Sequence, residues 1–274
     1  MGTNPKKSKE QLLYEQKYYR VQYVNKIIQI SIFLLFLFLW EFSANRGILD
    51  SFFFSSPSRI GRTFCQLITV NHLLAHIRIT LLETLVSFIL VIGISLLLAI
   101  LFWYFERLSV IFEPYLVILN SLPKSALAPL FIVWLGTGFK TIIVAGISVA
   151  IFGSIMSLYS GFHDSDQGKI RLIYTLGGNK SDVLKKVILP GSLPLIISTM
   201  KVNIGLSLVG VVIGEFLAAR KGLGYLIIYG TQTFKMNMVI TSLTLLCLIA
   251  VFLFLGIALL DKLICKKHHQ EKHG

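Results

Sequence analysis

FHDSDQGKIRLIYTLGGNKSDVLKKVILPGSLP, residues 162–194, is a polar, basic island between two long apolar runs, and it is patterned. Ser165 and Asp166 can cap a helix, and Ile170, Leu172, Ile173 and Leu176 follow at helical spacing. Gly177 and Gly178 stop that helix. Ser181 opens a second one, with Val183, Leu184, Val187 and Ile188 on one face and Lys180, Lys185 and Lys186 on the other. Pro190 and Pro194 close it before the next apolar run. Linkers seldom carry such order. The segment reads as a short folded element held at a membrane surface and met by something on that side; the plainer alternative is a loop helix resting on the lipid.

Outward from this island the chain is apolar. It is 55% hydrophobic with a mean hydropathy of +0.76. Charged residues make up 14%, where a soluble domain carries about a quarter. Several runs reach the roughly 20 residues that cross a bilayer, and they are continuous rather than alternating, which excludes a β-barrel. The class is an all-α polytopic membrane protein. The net charge of +13 is the excess of Lys and Arg that cytoplasmic loops collect, not a nucleic-acid footprint. Cys65, Cys247 and Cys265 are odd in number and far apart, so neither a disulfide framework nor a zinc site is expected.

Residues 1–26 set Lys6, Lys7, Lys9, Lys17, Arg20 and Lys26 among Tyr14, Tyr18, Tyr19 and Tyr23, the pattern of an interfacial helix. The apolar run that follows lacks a small-residue cleavage site and reads as a signal anchor. Residues 27–261 then divide into six expected spans: Ile27–Phe42, Ile79–Phe105, Ser109–Leu135, Thr141–Tyr159, Leu195–Leu217 and Val239–Leu260. The third is broken by Pro114, Pro123 and Pro129, and broken backbone at membrane depth needs protein or water to cover it. Residues 47–78 are too polar to span, and Ser56-Pro57 marks a short outer helix. Residues 262–274 form a basic tail. Six spans put both termini and the island on one side, the cytoplasmic side of a bacterial inner membrane by charge.

Thr175-Leu176-Gly177, nine residues, then Val187-Ile188-Leu189-Pro190 resembles the cytoplasmic signature of binding-protein-dependent ABC transporter permeases. The stretch from Leu122-Pro123 through Ala128-Pro129 to Leu135-Gly136 is similar to the third-span region of the aliphatic sulfonate, taurine and nitrate subgroup. Gly210-Val211-Val212-Ile213-Gly214-Glu215-Phe216 through Gly222-Leu223-Gly224-Tyr225 is similar to its fifth-span exit. The resemblance covers about residues 50–260. One departure is clear: where the family begins Glu-Ala-Ala, this chain has Arg171-Leu172-Ile173. The resemblance implies the type I (MetI-like) importer permease fold. It also implies a homodimer, two ATPase subunits docked on residues 162–194, and an extracytoplasmic solute-binding protein. The coupling residues it points to are Arg171, Thr175, Leu176, Gly177, Gly178, Asp182, Leu189 and Pro190.

For the translocation pathway the candidates are Asn120, Lys124, Ser125, Glu83 and Glu215. An ionisable residue inside a span is a functional hypothesis by default. Lys124 either attracts an anionic substrate or is paired within the bundle, and the residues alone leave both open. Glu83 and Glu215 are gate residues or interfacial carboxylates, and Lys201 is interfacial. His72 and His76 have a metal-compatible spacing without a third ligand, and the histidines near residue 270 belong to a solvated tail. Gly136-Thr137-Gly138-Phe139-Lys140-Thr141 fails as a phosphate loop, with Phe139 where Gly is needed and no preceding strand. The expectation is therefore a transport subunit with no cofactor and no motor of its own. The solute is a small anion such as a sulfonate, taurine or nitrate, or a vitamin precursor such as a thiamine pyrimidine or a riboflavin-like compound. From other classes, a membrane-embedded enzyme lacks convergent catalytic groups, and a secondary carrier or channel lacks repeat symmetry.

Overall fold

The computed structural model describes residues 9–48, 50–70 and 72–270, and among them every regular element is a helix. The readings of Lys6, Lys7, Lys272 and His273 fall outside the described residues. Helix α1, Lys9–Asn45, contains neither Gly nor Pro and runs unbroken. At about 1.5 Å per residue it exceeds the membrane core, so the basic turn and the first span are one rod rather than two elements. Its described side chains are mostly exposed, and its far end is tied down. There Glu41 accepts hydrogen bonds from the Ser58 amide (3.0 Å) and the Asn45 side chain (3.1 Å). Ser58 opens α3, Pro57–Val70, after a short α2 at Ser51–Phe54.

Helix α4, Leu73–Tyr104, begins six residues before the expected second span. The expected third span is two helices, α5 Glu106–Ser121 and α6 Lys124–Leu135, bent by 97°. Only Pro123 breaks it; Pro114 and Pro129 lie inside helices. The ring of Pro123 pushes Leu122 out of the helical region, to ψ 138, and ends α5. Helix α7, Phe139–His163, follows, then α8 (Gln167–Thr175), α9 (Lys180–Val183), a π turn at Leu184–Ile188 and α10 (Leu189–Gly191). Helices α11 (Leu193–Ala218), α12 (Leu223–Gln232) and α13 (Met236–Gln270) complete the chain. Residues 17–45 together with α4, α7, α11 and α13 up to Lys262 provide five helices long and apolar enough to cross a membrane, and the bent pair supplies a sixth if its arms are one span.

The core is the α4–α7–α11 bundle. With lipid outside, apolar burial between spans brings little, and close backbone approach does the holding. Gly210 and Gly214 are four residues apart on α11 and face α7. A Cβ at Gly210 would lie 2.7 Å from the Ala145 carbonyl oxygen, and one at Gly214 would lie 2.9 Å from the Ile142 Cα. On α7, Gly146 leaves room for Ser87 of α4. These glycines let three spans touch along their backbones.

Candidate functional site

At one end of the bundle, residues 164–192 form the element expected from sequence. Asp166 caps α8 by accepting from the amides of Gly168 (2.9 Å) and Lys169 (3.3 Å). The helix ends in a Schellman turn. Gly177, at φ +80°, donates to the Tyr174 carbonyl, and Gly178 donates to that of Ile173, at 3.0 and 2.9 Å. The two glycines are required for different reasons. Gly177 supplies a left-handed backbone, whereas a Cβ at Gly178 would meet the Ile173 side chain at 2.5 Å.

The next helix starts at Lys180, one residue before Ser181. Asn179 is its cap, in a reciprocal box: Asp182 N–H to Asn179 Oδ1 and Asn179 N–H to Asp182 Oδ2, each 3.0 Å. The expected coupling residue Asp182 thus spends its carboxylate on its own turn and on Lys186 at 3.1 Å. The Asn179 amide, with Lys186, holds that carboxyl below its ordinary range. Its contribution is complete above the ordinary carboxylate pKa and is lost as pH falls through the depressed value, so the turn is intact at neutral pH. Asn179→Ala should cost about 1 kcal/mol and raise amide hydrogen exchange over residues 180–189 about fivefold.

Pro190 and Pro194 do not close this helix, contrary to expectation. Pro190 has no N–H to give the carbonyl four residues back, and the ladder widens just before it into the π turn Leu184–Ile188; α10 carries Pro190 and ends at Gly191, and after a turn at Ser192 α11 opens with Pro194 in its first turn. Val183 and Ile188 are fully buried against Ala99, Leu158 and Phe162, which ties the element to α4 and α7. Lys180 reaches Glu106 at 3.5 Å and lies over the Trp103 and Tyr104 rings. The opposite face is open. Leu176 is 75% exposed and Leu172 57%, with Tyr174, Arg171 and Thr175 exposed beside them. Leu189 and Pro190 are half-buried on the α11 side. A rigid base therefore presents an apolar knob with a cation.

At the other end, Glu215 is 1% exposed and joins three elements. It accepts from the Thr80 hydroxyl of α4 at 2.6 Å and from the Gly224 amide, in the first turn of α12, at 2.5 Å. Thr80 in turn accepts from the Leu223 amide at 2.9 Å. The His76 ring lies 3.0 Å from the Gly222 backbone and stacks on Tyr225. A carboxylate on the N-terminal amides of a helix is a favourable pairing. It requires glycine at 222 and 224, because a Cβ at either would strike Glu215. Glu83, 2% exposed, lies against Glu215, and its Oε2 has no partner among the described residues. Glu215 thus acts as a fastener for the α11–α12 loop. His76 is committed to that loop as well, while His72 is exposed at the start of α4.

The remaining pathway candidates sit at the α5–α6 bend. Lys124 Nζ donates to the carbonyls of Leu119 (2.9 Å) and Asn120, closing the end of α5 where the helix dipole is negative. Asn120 and Ser125 are exposed, and Asn120 Oδ1 faces Gly153 of α7. Lys201, expected to be interfacial, is half-buried and paired with Asp261 of α13 at 2.6 Å. The partners of Glu215 were not expected from sequence. Their signal was the Gly222-Leu223-Gly224 triplet, and the signal for the packing was Gly210 and Gly214 four apart.

Comparison with known proteins places this geometry. Residues 89–266 match the family described as binding-protein-dependent transport system inner membrane component. The chain belongs to this family. The permease is 25% identical over 228 residues, 83% of each chain, to the putative aliphatic sulfonates transport permease protein SsuC of Bacillus subtilis (strain 168). It is 28% identical over 193 residues, 70% of this chain and 76% of that one, to the formylaminopyrimidine transport permease protein ThiX of Halalkalibacterium halodurans. Among solved structures it resembles an inward-facing MetNI methionine ABC transporter, with a TM-score of 0.63 at 20% identity over 70% of this chain and 95% of that one. The fold is thus that of MetI-type importer permeases, as the signature implied. The permease is an integral membrane component of an ABC importer, and its relatives carry different solutes.

Proposed function

We propose that this permease works as a homodimer, each copy giving half of a path for a small solute, with motion supplied by a separate ATPase seated on the Arg171–Leu176 face. The exposed knob carries this reading: Leu172, Tyr174 and Leu176 face water on a base whose other side is locked to α4 and α7 by Val183 and Ile188. Apolar side chains held rigidly in water favour a partner. With Arg171 where the family pattern has glutamate, the glutamate's ion pair with the ATPase is absent, and Arg171 calls for a different, acidic partner surface. The basic residues of this end, Lys169, Arg171, Lys180, Lys185 and Lys186, support a cytoplasmic placement in a bacterial inner membrane with both termini on that side. The opposite end has a cleft of about 620 Å³ lined by Arg59, Gln66, Phe234, Lys235 and Asn237, suited to a solute-binding protein delivering its cargo. Exposed apolar faces at Val110, Val133 and Trp134 suit a second copy and lipid. ATP-driven closure pushes the knob, the α4–α7–α11 bundle moves as a unit, and the Glu215 fastener carries α12 with it. Solute shifts this equilibrium only by its different affinity for the two states.

A photo-crosslinker at Leu176 should label an ATPase subunit, and Leu176→Glu should weaken ATPase association about tenfold, as loss of an interface anchor does. Labelling of lipid alone, or of the solute-binding protein, contradicts the reading.

A further inference from the structure

Between α7 and α11 lies a groove of about 260 Å³ lined by Gly153, Ser154, Ser157, Ser198, Thr199 and Asn203, with Leu195, Val202 and Leu206 on its walls. Ser154 and Asn203 are 3% and 2% exposed. Ser154 Oγ and Asn203 Nδ2 have no hydrogen-bond partner among the described residues. An amide N–H and a hydroxyl left unpaired at membrane depth are costly, so a partner is expected to visit them. Ser157 and Ser198 stand exposed at the rim. Among the described residues no charged side chain lines the groove. The nearby cations are engaged elsewhere, Lys201 by Asp261 and Lys124 by the α5 carbonyls.

We propose that this groove is where the travelling solute touches the permease, and that it takes a small uncharged polar molecule carrying both hydrogen-bond donors and acceptors. The assignment rests on the importer reading above. An ion entering the groove would lose water and find no opposite charge, whereas a neutral polar solute exchanges water for Asn203, Ser154 and the rim hydroxyls. The volume suits a compact solute on one wall of a path.

The test uses two thiol reagents of the same chemistry, neutral methyl methanethiosulfonate and anionic 2-sulfonatoethyl methanethiosulfonate. They are applied to the full permease with its ATPase in vesicles. Cys65, Cys247 and Cys265 are first replaced by Ser, then Ser157→Cys or Ser198→Cys is introduced, with Gln232→Cys, exposed at the end of α12 and away from the ATPase face, as the reference. During ATP turnover both groove thiols should react. Relative to the reference, the neutral reagent should be favoured about tenfold, the discrimination expected of an uncharged site in apolar surroundings. Asn203→Leu should slow groove labelling about tenfold while the reference is unchanged, as loss of the polar wall implies. No labelling by either reagent, or no preference for the neutral one, overturns the proposal; so does unchanged labelling in Asn203→Leu. Labelling that shows the preference but ignores ATP supports the groove and overturns the ATP-driven reading alone.

Discussion

Gly177→Pro should abolish uptake while leaving the protein in the membrane. Proline fixes φ near −65°, whereas this residue sits at +80° and donates its N–H to the Tyr174 carbonyl. Both features are lost together, at a cost of roughly 3 kcal/mol or more, enough to undo the turn that aims α8. Gly177 is exposed and a Cβ there would meet nothing, so the buried contacts of Val183 and Ile188 and the spans behind them are untouched. Expression and membrane insertion should stay near wild type, and ATP-driven uptake in vesicles should fall below detection. Gly177→Asn is the control, because Asn tolerates a left-handed backbone and should keep most of the uptake. Wild-type uptake by the proline variant would show that the turn transmits nothing.

Glu215→Ala should cost about 3 kcal/mol of stability, because it strands the Gly224 amide and the Thr80 hydroxyl in a buried place and opens a cavity beside Glu83. Uptake should fall with it, since α12 loses its attachment to α4 and α11. Glu215→Gln keeps the shape and one acceptor and should lose about half as much. Melting in detergent and hydrogen exchange at residues 222–226 measure both. Equal stability of the alanine variant and wild type would mean that the α11–α12 loop is held by packing alone. Gly222→Ala should mimic the glutamate loss, as the added carbon meets the carboxyl and the backbone is strained at φ +122°.

The two ends of the molecule were not equally legible. The knob end was readable because its signals are local. Asp166, Gly177 and Gly178 lie within one or two turns of the groups they bond, and cap and turn chemistry depends only on such neighbours. Where competing local signals coexisted, the start shifted from Ser181 to Lys180 with Asn179 as its cap, since Asn179 and Asp182 form a reciprocal pair. Pro190 looked like a stop and proved to be compatible with a widened π turn. Lys124, which the residues alone left between attracting an anion and pairing within the bundle, donates to the end of α5, because Pro123 bends the chain by 97° and brings the carbonyls of Leu119 and Asn120 within its reach.

The sequence by itself determined that the chain crosses a membrane several times, where the island and its hinge lie, and which family it belongs to. These follow from composition, run length and short-range turn chemistry. Only the tertiary structure decided what Glu215, Thr80 and His76 do. Their bonds join residues 135, 143 and 146 positions apart, and no local pattern specifies which helix face meets which across such distances. It also decided that Gly210 and Gly214 are contact points and that Ser154 and Asn203 face a shared groove, because a polar residue inside a span is defined by the neighbour it finds or lacks.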